Sequence, residues 1–140
     1  MSKALEFWFD VGSPASYLAW TQLPRLAAET GARIQWRPML LGGVFKATGN
    51  ASPVMIPAKG RWLTADLARF AARDGVPLRM PPNFPVNTLA MMRGACGMQL
   101  RRPADFERYC KAMFEAMFAR GLDMGNPDVF AGVLAAAGFD

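Results

Sequence analysis

Ser13 is the residue whose setting in this sequence most invites a chemical role. In EFWFDVGSPASYLAW, residues 6 to 20, an apolar aromatic run ends at Asp10, Gly12 follows, and Ser13-Pro14 opens what reads as a helix. A serine hydroxyl becomes a nucleophile when a neighbouring base takes its proton, and histidine usually does so. The chain has no histidine. Taken alone, Ser13 is therefore an N-cap, whose oxygen accepts a backbone N–H of the first helical turn. The only two cysteines, Cys96 and Cys110, fall in a region that reads as helical. Their spacing fits neither a disulfide framework nor a metal site, so both read as small core residues.

The elements that must position Ser13 follow from pattern. Residues 4 to 9, ALEFWF, are almost continuously apolar, as in a strand of a parallel sheet covered on both faces, and RIQWR at 33 to 37 reads as a second strand. Between them Pro14 suits the first helical position, Tyr17, Leu18, Leu23 and Leu26 supply an apolar face, and Gly31 is a stop. Pro24 is expected to kink or restart this helix. The first 38 residues thus form a β-α-β unit. Then PMLLGGVFKATGNASPVMIPAKGRW, rich in Gly and Pro and without a clean period, reads as a long ordered loop with short turns. Helices are expected over Thr64 to Arg73, Thr88 to Leu100 and Pro103 to Arg120, with a Pro-rich connector before Thr88. A last helix is capped by Asn126 and closed by Gly138. The methionines from Met91 to Met117 read as adaptable core.

Charge and length narrow the function classes. The formal net charge is +5 over 140 residues, but the cations are scattered singly, the longest run being Arg101-Arg102, which excludes a nucleic-acid stripe and suits small anions. No apolar run approaches the roughly 18 residues of a membrane span, and nothing resembles a signal peptide. The expectation is a cytoplasmic chain whose partners are small molecules, with neither nucleic acid nor membrane among them.

Four separated stretches, FWFDVGSPASYLA, WRPMLLGGVFKATGN, PAKGRWLTADLARFA and GVPLRMPPNFPVNTLAMMRG, occur in order over most of residues 5 to 95. Together they resemble the DsbA-like thioredoxin-fold family that includes 2-hydroxychromene-2-carboxylate isomerase and the kappa-class glutathione transferases. The resemblance implies an α/β fold, thioredoxin-like, with an inserted all-helical domain. Residues 1–60 would be the β-α-β part with the active-site loop, and 61–140 the helical insertion. It also implies glutathione as cofactor. Where related redox proteins carry a cysteine this chain has Ser13, so the sulfur comes from glutathione. A helix N-terminus with a hydroxyl donor favours a thiolate. Ser13 is then a donor, which needs no histidine.

The implied reaction interconverts 2-hydroxychromene-2-carboxylate and trans-o-hydroxybenzylidenepyruvate, a step of aromatic hydrocarbon catabolism. Reversible addition of the thiolate makes a conjugated double bond single and free to rotate. For the anionic cofactor and the aromatic carboxylate substrate the resemblance assigns Asn50 and Lys59, with Lys46 as a further substrate contact. The residues themselves leave room for a turn at Asn50 beside Gly49 and for surface lysines. Tyr17, one turn after Ser13, is a candidate for the same pocket or for packing on the sheet, and Asp10 for orienting backbone amides or for closing a strand-end turn. Family members are longer, so a C-terminal truncation that removes half of the thioredoxin-like sheet is expected. Homodimerisation would cover part of the exposed surface. Two alternatives stand beside the isomerase: a kappa-like glutathione S-transferase, and an inactive truncated remnant. A dithiol oxidoreductase is disfavoured, since no C-x-x-C occurs.

Overall fold

A computed structural model describes residues 3–139. Strand β1, Ala4–Phe9, leads into helix α1, Pro14–Thr30, and strand β2, Arg33–Pro38, returns parallel to β1 with Phe7 opposite Trp36 and Phe9 opposite Pro38. Helix α2, Leu41–Thr48, a 3-10 turn at Pro53–Met55 and helix α3, Pro57–Asp74, follow. Helix α4, Leu89–Arg101, a second 3-10 turn at Pro103–Asp105, helix α5, Phe106–Phe114, a π-helical turn at Glu115–Ala119 and helix α6, Pro127–Ala136, complete the order. Among the described residues the sheet has two strands.

Period-two alternation puts Phe7 and Phe9 on one face of β1. The Phe9 ring is fully buried against Trp20 of α1 and against Phe106 and Phe114 of α5. The opposite face is open, contrary to the expectation of a strand covered on both sides. Trp8 is 57% exposed there, and Glu6 pairs with Arg37 across the strands at 2.7 Å. The apolar run of β1 therefore overstates its burial, because α1 and α5 both press on the Phe9 face.

Helix α1 begins and ends as its sequence requires, with Ser13 as N-cap, Pro14 in the first turn and Gly31 in the left-handed conformation at φ 69°. It runs through Pro24, where a kink or restart was expected. Pro24 has no N–H to offer the Trp20 carbonyl one turn back, and its own ring lies on the exposed side of the helix. The stretch after β2 is not a long loop. It folds into α2, the 3-10 turn and the first two turns of α3, which starts at Pro57 and not at Thr64. Residue 60, the expected domain boundary, lies inside α3, where an added Cβ at Gly60 would touch the Val54 backbone at 3.4 Å.

One hydrophobic core crosses that boundary, joining Phe9, Tyr17, Leu18 and Trp20 to Met91, Met92, Met113, Phe114 and Met117. The single helix expected over Pro103 to Arg120 opens into the π turn, where the Arg120 N–H bonds to the Glu115 carbonyl, and just beyond it the Leu122 N–H reaches back to the Ala116 carbonyl. The Phe118 carbonyl is thereby released and accepts the Arg79 N–H of the Pro-rich connector at 2.6 Å. Cys110 is buried, but Cys96 is exposed, so only one cysteine is a core residue as expected. Burial, aided by the nearby Glu107, pushes the Cys110 thiol far above its ordinary range.

Close helix packing sets two predictions. A Cβ at Gly94 would meet the Tyr109 hydroxyl at 2.1 Å, whereas Gly97 faces open space. Gly94→Ala is expected to cost roughly 1–3 kcal/mol in urea unfolding. Gly97→Ala, in the same helix, is expected to gain up to about 1 kcal/mol. In native protein a thiol reagent at neutral pH should titrate Cys96 quickly and reach Cys110 only after denaturant is added.

Candidate functional site

The turn between β1 and α1 is held by Asp10. Its backbone carbonyl accepts the Ser13 N–H at 3.0 Å, and its Oδ1 accepts the Gly12 N–H at 2.8 Å. Its Oδ2 reaches further, accepting the Leu41 N–H at the start of α2 at 2.8 Å and the Thr88 hydroxyl at 2.9 Å. The side chain is 2% exposed. Gly12 lets the turn and Thr88 approach, since a Cβ there would lie 2.5 Å from the Thr88 methyl.

Ser13 is half-buried and caps α1, its Oγ accepting the Ser16 N–H at 3.1 Å. That bond uses an oxygen lone pair and leaves the hydroxyl proton free to be donated. Cap and donor are therefore compatible roles for one side chain.

Ser13 opens onto a cavity of about 410 Å³. The starts of α1, α2 and α4 meet at its edge through Pro14, Leu41 and Thr88, and Phe45, Leu63, Phe84 and Val86 give it apolar walls. The Phe84–Pro85 peptide is cis, and both residues line the cavity. Each helix N-terminus carries roughly half a positive charge. Three such ends beside a hydroxyl donor favour an anionic ligand atom in an otherwise apolar chamber. Among the described residues Asp10 is the one charged side chain in the lining.

Of the residues singled out by sequence, Ser13 and Asp10 lie on this cavity. Tyr17 does not face it. One turn further along α1, its ring is buried against Phe114 and Phe118, its hydroxyl donates to the Pro77 carbonyl at 2.8 Å, and it lines a separate cleft of about 570 Å³ between α1 and α5. Burial, with Glu115 nearby, raises its phenol above the ordinary value. Asn50 follows Gly49 at the end of α2 and turns its side chain onto the Ala51 N–H at 2.8 Å, as a turn residue does. Lys46, in the last turn of α2, and Lys59, in the first turn of α3, are exposed. Neither has an ion-pair partner among the described residues, and neither lines the cavity.

Sequence reasoning missed Thr88 and the reach of Asp10. By sequence Thr88 only opens the helix expected to reach Leu100; in the structure it stands at the cap position of α4 without capping it. The Asn87 Oδ1 takes the Leu89 N–H at 3.0 Å instead.

The chain belongs to the DsbA-like thioredoxin family: a family model described as a DSBA-like thioredoxin domain matches residues 4–140. Within that family it is similar to 2-hydroxychromene-2-carboxylate isomerase of Sphingobium xenophagum, 33% identical over the whole chain and 71% of that protein. It is also similar to glutathione S-transferase kappa 1 of Caenorhabditis elegans, 31% identical over 96% of this chain and 62% of that protein. A solved structure of 2-hydroxychromene-2-carboxylate isomerase superposes with a TM-score of 0.82 at 31% identity, covering 98% of this chain and 66% of the other. The chain thus spans between 62 and 71% of the length of these relatives. Among the described residues no helix is long and apolar enough to cross a membrane.

The cap role of Ser13 has its own test. Ser13→Ala is expected to lower unfolding stability by about 1 kcal/mol, and Ser13→Asp, which restores a capping oxygen, to recover most of it. Denaturant curves with unchanged m-values would establish both.

Proposed function

We propose that this protein is a glutathione-dependent isomerase interconverting 2-hydroxychromene-2-carboxylate and trans-o-hydroxybenzylidenepyruvate, with the Ser13 cavity as its thiol site. The observation that carries the reading is the meeting of three helix N-termini with an available Ser13 hydroxyl proton in an apolar cavity. The similarity to isomerases of that name supports it.

The residues present suit a sulfur anion. Ser13 would donate its proton to the sulfur while keeping its cap, and the positive end of α1 would favour the charged form, so no histidine base is required. When bound, glutathione supplies a sulfur nucleophile whose reversible addition to a conjugated double bond permits rotation about it. Phe45, Leu63, Phe84 and Val86 would hold the aromatic ring and exclude water. In this reading Asn50 and Lys59, with Lys46, meet the carboxylates of cofactor and substrate from outside the cavity lining. A glutathione-containing cytoplasm is the compartment it requires.

A kappa-like glutathione transferase is the second reading, favoured by the 31% identity to a kappa transferase and by an apolar wall that would serve an electrophile equally well. The deciding assay follows 2-hydroxychromene-2-carboxylate spectroscopically with purified chain of verified mass, with and without glutathione. The expected outcome is conversion only with glutathione, lowered about 10²-fold by Ser13→Ala. It should be lowered as well by Ser13→Asp, which keeps the cap but cannot donate. Conjugation of 1-chloro-2,4-dinitrobenzene without isomerisation would select the transferase. Neither activity would mean a chain with the family's signature and no catalysis.

A further inference from the structure

Asp10 is a buried charged group for which the proposed chemistry has no use. Its carboxylate faces three donors, the Gly12 N–H, the Leu41 N–H and the Thr88 hydroxyl, and behaves as a pure acceptor, as an ionised carboxylate does. No cation pairs with it among the described residues. The charged side chains on the elements packed around it, Glu6 on β1, Arg25 and Glu29 on α1, Arg33 and Arg37 on β2, Lys46 on α2, and Arg93 and Arg101 on α4, are all exposed. Water screens those groups far more than it screens Asp10. The carboxylate is therefore the one weakly screened full charge at the point where three positive helix ends meet, and it opposes them.

Thr88 is placed to moderate that charge. It occupies the cap position of α4, yet its hydroxyl is spent on Asp10 and not on its own helix. Gly12 is the residue that lets it come so near.

We propose that Asp10 and Thr88 form a charge-setting pair that positions the Ser13 turn and limits how strongly the converging helix ends stabilise an anion there, with the carboxylate opposing the anion and the Thr88 hydroxyl damping the carboxylate. The pair acts through Ser13 and the local field, and the inference rests on the reading of this cavity as a thiolate site. Its signature is opposite signs. Removing the Asp10 charge makes an anion at the α1 start easier to form, and removing the Thr88 hydroxyl makes it harder. A pair that merely braced the fold would impair the site in the same direction whichever partner was lost.

The test needs no glutathione, so its outcome is separable from that of the isomerase assay. Ser13→Cys places a thiol at the α1 start, and its ionisation is read from the thiolate absorbance near 240 nm against pH. Each variant is measured as a difference from its Ser13 counterpart, which cancels Cys96 and Cys110. Adding Asp10→Asn is expected to lower the midpoint by about one pH unit, and adding Thr88→Val to raise it by a few tenths or more. Thr88→Ser, which keeps the hydroxyl, should restore it. Midpoints that move in the same direction, or none that moves, would overturn the proposal. Asp10→Asn keeps one of the two acceptor oxygens, so either the Gly12 or the Leu41 N–H loses its acceptor, and the variant is checked for folding by circular dichroism. If it fails to fold, Thr88→Val against Thr88→Ser decides: a raised midpoint in the first alone supports the pair, and equal midpoints overturn it. Glutathione-dependent turnover by the unaltered protein alongside equal midpoints would remove this inference and leave the isomerase standing.

Discussion

The architecture around the cavity depends on one carboxylate. Asp10 closes the strand-to-helix turn through Gly12, starts α2 through Leu41 and holds the beginning of α4 through Thr88. These partners lie 2, 31 and 78 residues away along the chain. Burying such a charge is costly unless it is well hydrogen-bonded, and charge-assisted bonds from a backbone amide at a helix start offset that cost. The outcome is mutual: the helix starts solvate the carboxylate, and the carboxylate fixes where the helices start. A cavity formed by helix ends thereby gains definite walls.

The core explains why these ends stay together. Phe9 stands one residue before Asp10, and its ring is enclosed by Trp20, Phe106 and Phe114, so the end of β1 is anchored from both α1 and α5. Met92, on the inner side of α4, receives the Val11 N–H on its sulfur at 3.4 Å. The turn that presents Ser13 is thus pinned on one side by apolar packing and on the other by Asp10. The opposite face of the sheet, with Trp8 exposed, contributes nothing to this anchoring.

Local signals in the sequence had local outcomes. Ser13 and Pro14 start α1 and Gly31 ends it, while Asn126 starts α6 through its bond to the Asp128 N–H at 2.9 Å. The family resemblance, carried by four separated stretches, agreed with the match over residues 4–140. Features that depend on distant partners were not legible. The Gly42-Gly43 pair argues against helix in any local window, yet α2 is present, and its first N–H is capped by a residue 31 positions earlier. Tyr17 lies on the face of α1 that meets the Phe118 ring and the Pro77 carbonyl, and nothing in its spacing from Ser13 told that face from the cavity. Thr88 was invisible because its hydroxyl is used across the fold.

The absence of histidine, which denies Ser13 a base, has a consistent physical account. A serine that must attack requires a base, and with it a third group to orient that base. A serine that only donates requires an acceptor for its proton and something to fix its oxygen. The Ser16 N–H fixes the oxygen at 3.1 Å. This bond also aims the remaining proton, because a hydroxyl oxygen that accepts on one side directs its hydrogen away from that donor. In the proposed reading the N-cap would therefore orient the donor, and the helix that Ser13 caps would supply a field favouring an anion beside it. Structure and proposed chemistry draw on the same bond, so one residue can serve both without a catalytic base.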